Sequence, residues 1–421
     1  MANYHLIQNA TLILEGHSLN GTSIDILLED GLIQKIGTNI KSDATPITGA
    51  NLWVTAGWVD MRCHLTDPGL EHKDTVESLL NTAVAGGFTH VVTLPHSVPT
   101  IHDKSKVNYL LQASKGHLAS LLPSGVLSDN NQSENLAELY DMHNAGAVAF
   151  TNGDKAVSNG LLKKALLYTK PFGAKIITHP SDKSLEQGGS VNESETTIHT
   201  GLKTSSSLAE YVNVREQIEV ARYCDSPIHF SCISTKESVE LIRQAKKEGV
   251  TVTCDVSIFN LCFTDKEVLG FDENFKLYPP LRTEDDRKAL VAGVNDGTVD
   301  AICSNHNPQN VESKQVEFDY ADNGALSLQL LLPWYTKYLS KEIDKDTFIA
   351  ALTTKPRAIL GLENSAFNQG EVANITVIDM ENSWMFDGDT NQSLSKNSHE
   401  WGQEQQGKVK AVFHQFKFNL F

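Results

Sequence analysis

At 421 residues the chain is too long for one small domain and long enough for one large barrel with an appendage. A formal net charge of −17 argues against nucleic acid or an anionic membrane surface as a partner, since both select positive surface. No segment reaches ~18 uninterrupted apolar residues, and Met1-Ala2-Asn3-Tyr4-His5 has no basic region ahead of an apolar core, so neither a membrane-spanning helix nor a signal peptide is expected.

The chain begins in strand style. Residues 4–14 and 24–36 are rich in β-formers, and Asp30-Gly31 is a hairpin turn signal. Residues 374–379 and 408–416 return to that style, with a polar, loop-like span between them. Segments from opposite ends of a chain can pair. Residues 1–55 and 366–421 are therefore expected to build one small β-sandwich that braces a barrel at 56–365.

Between the termini, strand and helix alternate. Apolar strand candidates lie at 52–59, 90–94, 119–122, 147–150, 175–179, 227–231, 251–256 and 301–304. Helical patterns occupy 75–85, 161–169, 210–223, 236–247 and 287–294, and another at 326–339 follows the last strand. Short apolar strands alternating with amphipathic helices mean a parallel sheet with helices outside. The expected fold is α/β, a (β/α)8 barrel, whose chemistry sits at the C-terminal strand ends. The six cysteines form no CxxC pair, and most sit in or beside apolar runs as buried free thiols do. A reducing cytoplasm fits that usage.

One stretch organises the rest: Gly57-Trp58-Val59-Asp60-Met61-Arg62-Cys63-His64-Leu65-Thr66-Asp67-Pro68-Gly69, an apolar run delivering its last side chains into a polar turn. It resembles the metal-binding first barrel strand of the amidohydrolase superfamily, and within it the dihydroorotase family. Further matches are Ala85-Gly86-Gly87-Phe88-Thr89, Ile228-His229-Phe230-Ser231-Cys232-Ile233-Ser234-Thr235, Pro279-Pro280-Leu281-Arg282 and Lys355-Pro356-Arg357-Ala358-Ile359-Leu360-Gly361-Leu362. The resemblance runs over nearly the whole chain and implies the barrel-plus-sandwich fold. It also implies one or two zinc ions at the strand ends, where the metal makes a hydroxide and polarises a cyclic amide.

The family's site residues are largely substituted. Arg62 stands where the first metal-binding histidine belongs, and a guanidinium has no lone pair for zinc. Simple alternation puts it on one strand face with Asp60 and His64, so Arg62 is expected to fill the mouth and part of the missing metal's charge. His64 is a ligand remnant or a hydrogen-bonded barrel histidine. The bridging carboxylate falls on Asn152 or Gly153, with Asp154 a substitute only if the loop shifts, and Lys155 a carbamate site on paper. His179 matches the fifth-strand histidine. Cys232 replaces a metal-binding histidine, as a thiolate ligand or as a buried thiol, and His229 reads as structural. Asn305 stands at the catalytic aspartate and can neither accept its proton nor balance dications. The positions that hold substrate are Thr66, His96 and Tyr278, all substituted, and Phe259-Asn260 replaces a His-His pair.

Three readings follow. A silent dihydroorotase homologue would bind no metal and act as a homodimer or as a scaffold for aspartate transcarbamoylase. A rebuilt enzyme would hold one zinc on His64, His179 and Cys232. An ordinary dihydroorotase ranks last, because metal, proton-transfer and anchor positions have all changed.

Overall fold

The computed structural model describes residues 3–129, 135–364 and 367–421. Eight parallel strands form the central sheet: β1 (Trp58–His64), β2 (Phe88–Leu94), β3 (Ser120–Gly125), β4 (Ala149–Phe150), β5 (Lys175–Thr178), β6 (Ile228–Phe230), β7 (Val252–Ser257) and β8 (Ala301–Cys303). The sheet curls until β1 meets the chain leaving β8. There Asn305 N donates to Arg62 O at 3.1 Å and His64 N donates to His306 O at 2.9 Å. The inside is filled by Val59, Met61, Val92, Ala149, Ile177, Ala301, Cys232 and Cys303.

The outer helices follow from local chemistry. In Lys236–Lys247, Val239, Ile242 and Ala245 recur at helical spacing and are buried, while Thr235 caps the start by accepting from Ser238 N at 3.3 Å. Lys246 and Lys247 close it in the last turn, where cations suit the helix dipole. Two helices that the sequence pattern did not mark, Lys104–Ala113 and Leu139–Ala145, follow β2 and β3. The helix expected over 326–339 starts only at Leu331, because residues before it are tied elsewhere: Leu326 N donates to Asn397 O and Ser327 N to His306 Nδ1.

The termini share a mixed eight-stranded sheet of Tyr4–Ile13, Ser23–Glu29, Leu32–Gly37, Pro46–Ile47, Leu52–Ala56, Ile375–Phe386, Gln403–His414 and Lys417–Leu420. Leu52–Ala56 runs antiparallel to Ile375–Phe386 and parallel to Tyr4–Ile13, which joins the two ends of the chain in one ladder. The expected strand over 52–59 is thus two strands in two sheets. Gly57 is the break: a Cβ there would fall 2.2 Å from Asn374 Oδ1 and 2.4 Å from Thr89, so only glycine lets the sheets approach so closely. The polar span read as loop after residue 379 is also corrected, since both flanking strands extend into it and pair from Ser383 to Phe386. Among the described residues no helix is long and apolar enough to cross a membrane.

Candidate functional site

Between Asp60 and Cys63, β1 carries one residue more than its neighbour β2. Asp60 lies opposite Val91 and Cys63 opposite Thr93, so the alternation of side chains is broken by a bulge. Met61 joins the apolar layer inside the barrel, and Arg62 and His64 reach the mouth above it.

Arg62 is fully buried and makes three contacts there. Its Nη2 pairs with the Asp154 carboxylate. Its Nε donates to Asn305 Oδ1 at 3.0 Å, and its Nη1 lies 3.4 Å from Ser231 Oγ. Burial alone would lower its pKa, but opposing charge, chiefly the Asp154 carboxylate, outweighs burial and the guanidinium is held above its ordinary value. The other end of Asn305 is used too, with Nδ2 donating to Tyr278 O at 3.1 Å.

Asp154 is the hub of the mouth. Besides Arg62 it receives His64 Nε2 at 3.0 Å, and His96 Nδ1 lies 3.7 Å away. Burial works against its charge, yet His64, Arg62 and His96 together hold the carboxyl well below the usual range. Gly153 makes this position reachable: its φ of +62° is left-handed, and a Cβ would collide with His96 Nε2 at 1.9 Å. Asp154 is thus the acidic residue of this loop that reaches the mouth. Asn152, expected to fill the site, turns away. Its Oδ1 accepts from Leu127 N and Ser128 N at 3.0 and 3.1 Å, and it secures the loop after β3 instead.

The ligand set expected for a rebuilt site is not assembled. Among the described residues, the groups whose donor atoms lie within 4.8 Å of one another are His64, His96 and Asp154, and separately Cys232, Asp255 and Cys303. His179 stands apart, with Nδ1 donating to Ser231 O at 3.1 Å and its ring 4.8 Å from that of Tyr278. Burial, then Arg62, lowers its pKa. Cys232 lies below the mouth with Sγ 3.9 Å from Cys303 Sγ. Thr66 does not present a free hydroxyl; its Oγ1 donates to Asp74 O at 2.6 Å. A cavity of about 260 Å³ opens over His64, Thr66, Lys73, His96, Asp154 and Gln309.

Asp255 was missed by sequence reasoning. It is fully buried and accepts from His229 Nε2 at 2.9 Å, Cys232 N at 2.6 Å and Ser231 Oγ at 3.2 Å. The available signal was a carboxylate inside an apolar strand run, which demands partners. Burial opposes its charge, but the His229 hydrogen bond and charge win and its pKa is lowered.

Zinc can be weighed against these side chains. His64, His96 and Asp154 are the right donor types for one ion. As arranged they do not fit it: the single carboxylate is shared by Arg62 and His64, so an ion bound to Asp154 would share it with a buried guanidinium. Two dications fit still less, because Asp255 is consumed by its own partners.

Asp60 offers a test by pH. It is fully buried and accepts from Ser304 N at 2.8 Å and Ser304 Oγ at 2.5 Å. Burial pushes its pKa from 3.8 to about 7, against those hydrogen bonds. A carboxyl raised on folding stabilises most below its unfolded pKa, and that contribution is lost as pH rises through the folded value. Stability should therefore fall from roughly pH 4 to pH 7 on this account, and urea melts of Asp60→Asn should show a flatter pH dependence across that window. An unchanged slope would assign it to other groups.

A family profile described as Dihydro-orotase-like matches residues 52–238. The dihydroorotase of Geotalea daltonii is 37% identical over 390 residues, 91% of this chain and 92% of that protein. That of Pelobacter propionicus is 35% identical over 412 residues, 97% of each. Of solved structures, L-hydantoinase (dihydropyrimidinase) from Arthrobacter aurescens superposes with a TM-score of 0.84 at 22% identity, over 97% of this chain and 94% of that one. Dihydropyrimidinase from Brevibacillus agri NCHU1002 gives 0.80 at 18%, over 100% and 95%. At these identities the structures speak for the fold, whereas the sequence matches span barrel and terminal sheet alike: the chain belongs to the dihydroorotase family of the amidohydrolase superfamily.

Proposed function

We propose that this member of the family does not interconvert dihydroorotate and carbamoyl aspartate, and that it keeps the barrel as a silent homologue. The observation that carries the reading is the Arg62 guanidinium, buried in the mouth and bound to both Asp154 and Asn305. Hydrolysis of a cyclic amide needs an activated water and a group that moves its proton. Asn305 is an amide with both ends engaged. Asp154 is clamped by charge and is a weak base. Burial lowers the His96 pKa to about 4, which makes it a weak base as well. A family-type role consistent with this is assembly, as a homodimer or as a scaffold for aspartate transcarbamoylase.

A second reading rests on the convergence of His64, His96 and Asp154. It makes the chain a mononuclear zinc amidohydrolase in which Arg62 leaves Asp154 when metal binds. One experiment separates them. Purified protein, stripped with chelator and reloaded with zinc, is assayed for dihydroorotate turnover in both directions. The silent reading expects no turnover in either preparation; activity that chelator removes and zinc restores would overturn it.

A further inference from the structure

Arg357 lies in the helix Thr354–Leu360, at the end of the barrel opposite the mouth. It is 1% exposed. Its Nη2 donates to Gly57 O at 2.6 Å, just before β1 begins, and its buried Nε has no partner. Among the described residues no carboxylate pairs with it. Burial alone accounts for its lowered pKa, about 10, with no acidic group raising it. A buried guanidinium without a counter-ion is costly, and such groups normally carry a paired charge.

Two imidazoles stand beside it. The rings of His90 and His414 are 4.8 Å apart. His414 Nδ1 donates to Leu118 O at 2.8 Å, and His90 Nδ1 lies 3.0 Å from Thr89 Oγ1. Each is lowered first by burial and then by the Arg357 charge, so both are neutral while nothing balances that charge. All three side chains line a cavity of 520 Å³, the size of small-molecule sites. The acidic groups on its walls are Glu363, which is exposed, and Glu371, which holds Asn368 Nδ2 at 3.1 Å.

We propose that this cavity binds a small oxyanion of the phosphate type, with Arg357 supplying the charge and the His90–His414 pair taking up a proton as the anion enters. An anion there would give the Arg357 guanidinium the counter-charge it lacks and offset the smaller cause, after burial, that keeps both imidazoles neutral. With a net charge of −17 the protein repels anions in general, so saturable binding would report a built site.

The test uses the full chain and inorganic phosphate, titrated by calorimetry in buffers of different ionisation enthalpy. Saturable binding with net proton uptake is expected, together with shifts of the His90 and His414 ring signals in NMR spectra. Arg357→Gln should weaken binding about tenfold or more, the loss of a charged hydrogen-bond donor. Because that variant also loses its bond to Gly57 O, Glu363→Lys at the exposed rim provides an independent readout and should tighten binding. Acetate binding with the same dependence on Arg357 would support the site and assign it to carboxylates. Absence of saturable binding, or binding indifferent to both substitutions, would overturn it.

Discussion

Replacing Arg62 with alanine is expected to lower stability by about 3–5 kcal/mol, the usual cost of removing one partner of a buried ion pair. The guanidinium is fully buried, and its loss strands Asp154 beside two imidazoles and leaves Asn305 Oδ1 without its donor. Asp154 keeps 29% of its side chain exposed, so water can recover part of its solvation and the lower end of that range applies. Arg62→Met combined with Asp154→Asn should be milder than Arg62→Ala, because no uncompensated charge remains. The acid limb gives the sign. Asp154 has a depressed pKa, so its contribution is present above the unfolded value of 3.8 and is lost as pH falls through the folded value. Urea denaturation as a function of pH should show this limb in the native chain and a weaker one in Arg62→Ala. A loss under ~1 kcal/mol, the scale of a surface pair, would mean that the mouth does not depend on the arginine.

The barrel was legible because its signals are local and repeated. Each strand is a short apolar run, several helices carry their own period and cap, and eight such units leave little choice of architecture. What escaped depended on single-residue geometry. The run 52–59 looks continuous, and only a steric contact at Gly57 divides it between two sheets. Strand alternation placed Arg62 at the mouth, but the bulge that separates Met61 from it is a register effect between β1 and β2 and leaves no mark in β1 alone. The choice among Asn152, Gly153 and Asp154 turned on a left-handed φ at Gly153, which glycine permits without announcing. Cys232 carried two readings because residue type says nothing about depth; the fold sets its thiol beside Cys303 and away from His64.

The triple substitution Arg62→His, Cys232→His, Asn305→Asp is expected to retain zinc through dialysis, where the native chain and each single variant do not. The argument is one of charge and lone pairs. Arg62→His removes the cation that occupies Asp154 and restores an imidazole beside His64 Nε2, itself 3.0 Å from Asp154 Oδ2. Asn305→Asp places a second carboxylate where Oδ1 now meets Arg62 at 3.0 Å, so two anionic oxygens face one another across the vacated space and favour a dication. Neither change suffices alone: with Arg62 present the ion is repelled, and with Asn305 present one carboxylate must serve every ligand. Cys232→His is the hardest step, since position 232 is fully buried and has a φ of +59°, so a partial gain from the other two is expected even if it fails to fold. Asn152→Asp should add nothing, because its side-chain oxygen is already committed to Leu127 N and Ser128 N. Elemental analysis after chelation and reloading decides the matter. Zinc no higher in a folded triple variant than in the native chain would show that the backbone at the mouth, and not only its side chains, has left the metal-binding geometry. Turnover is not expected to return with the metal if, as the family resemblance implies, Thr66, His96 and Tyr278 replace the residues that hold the substrate.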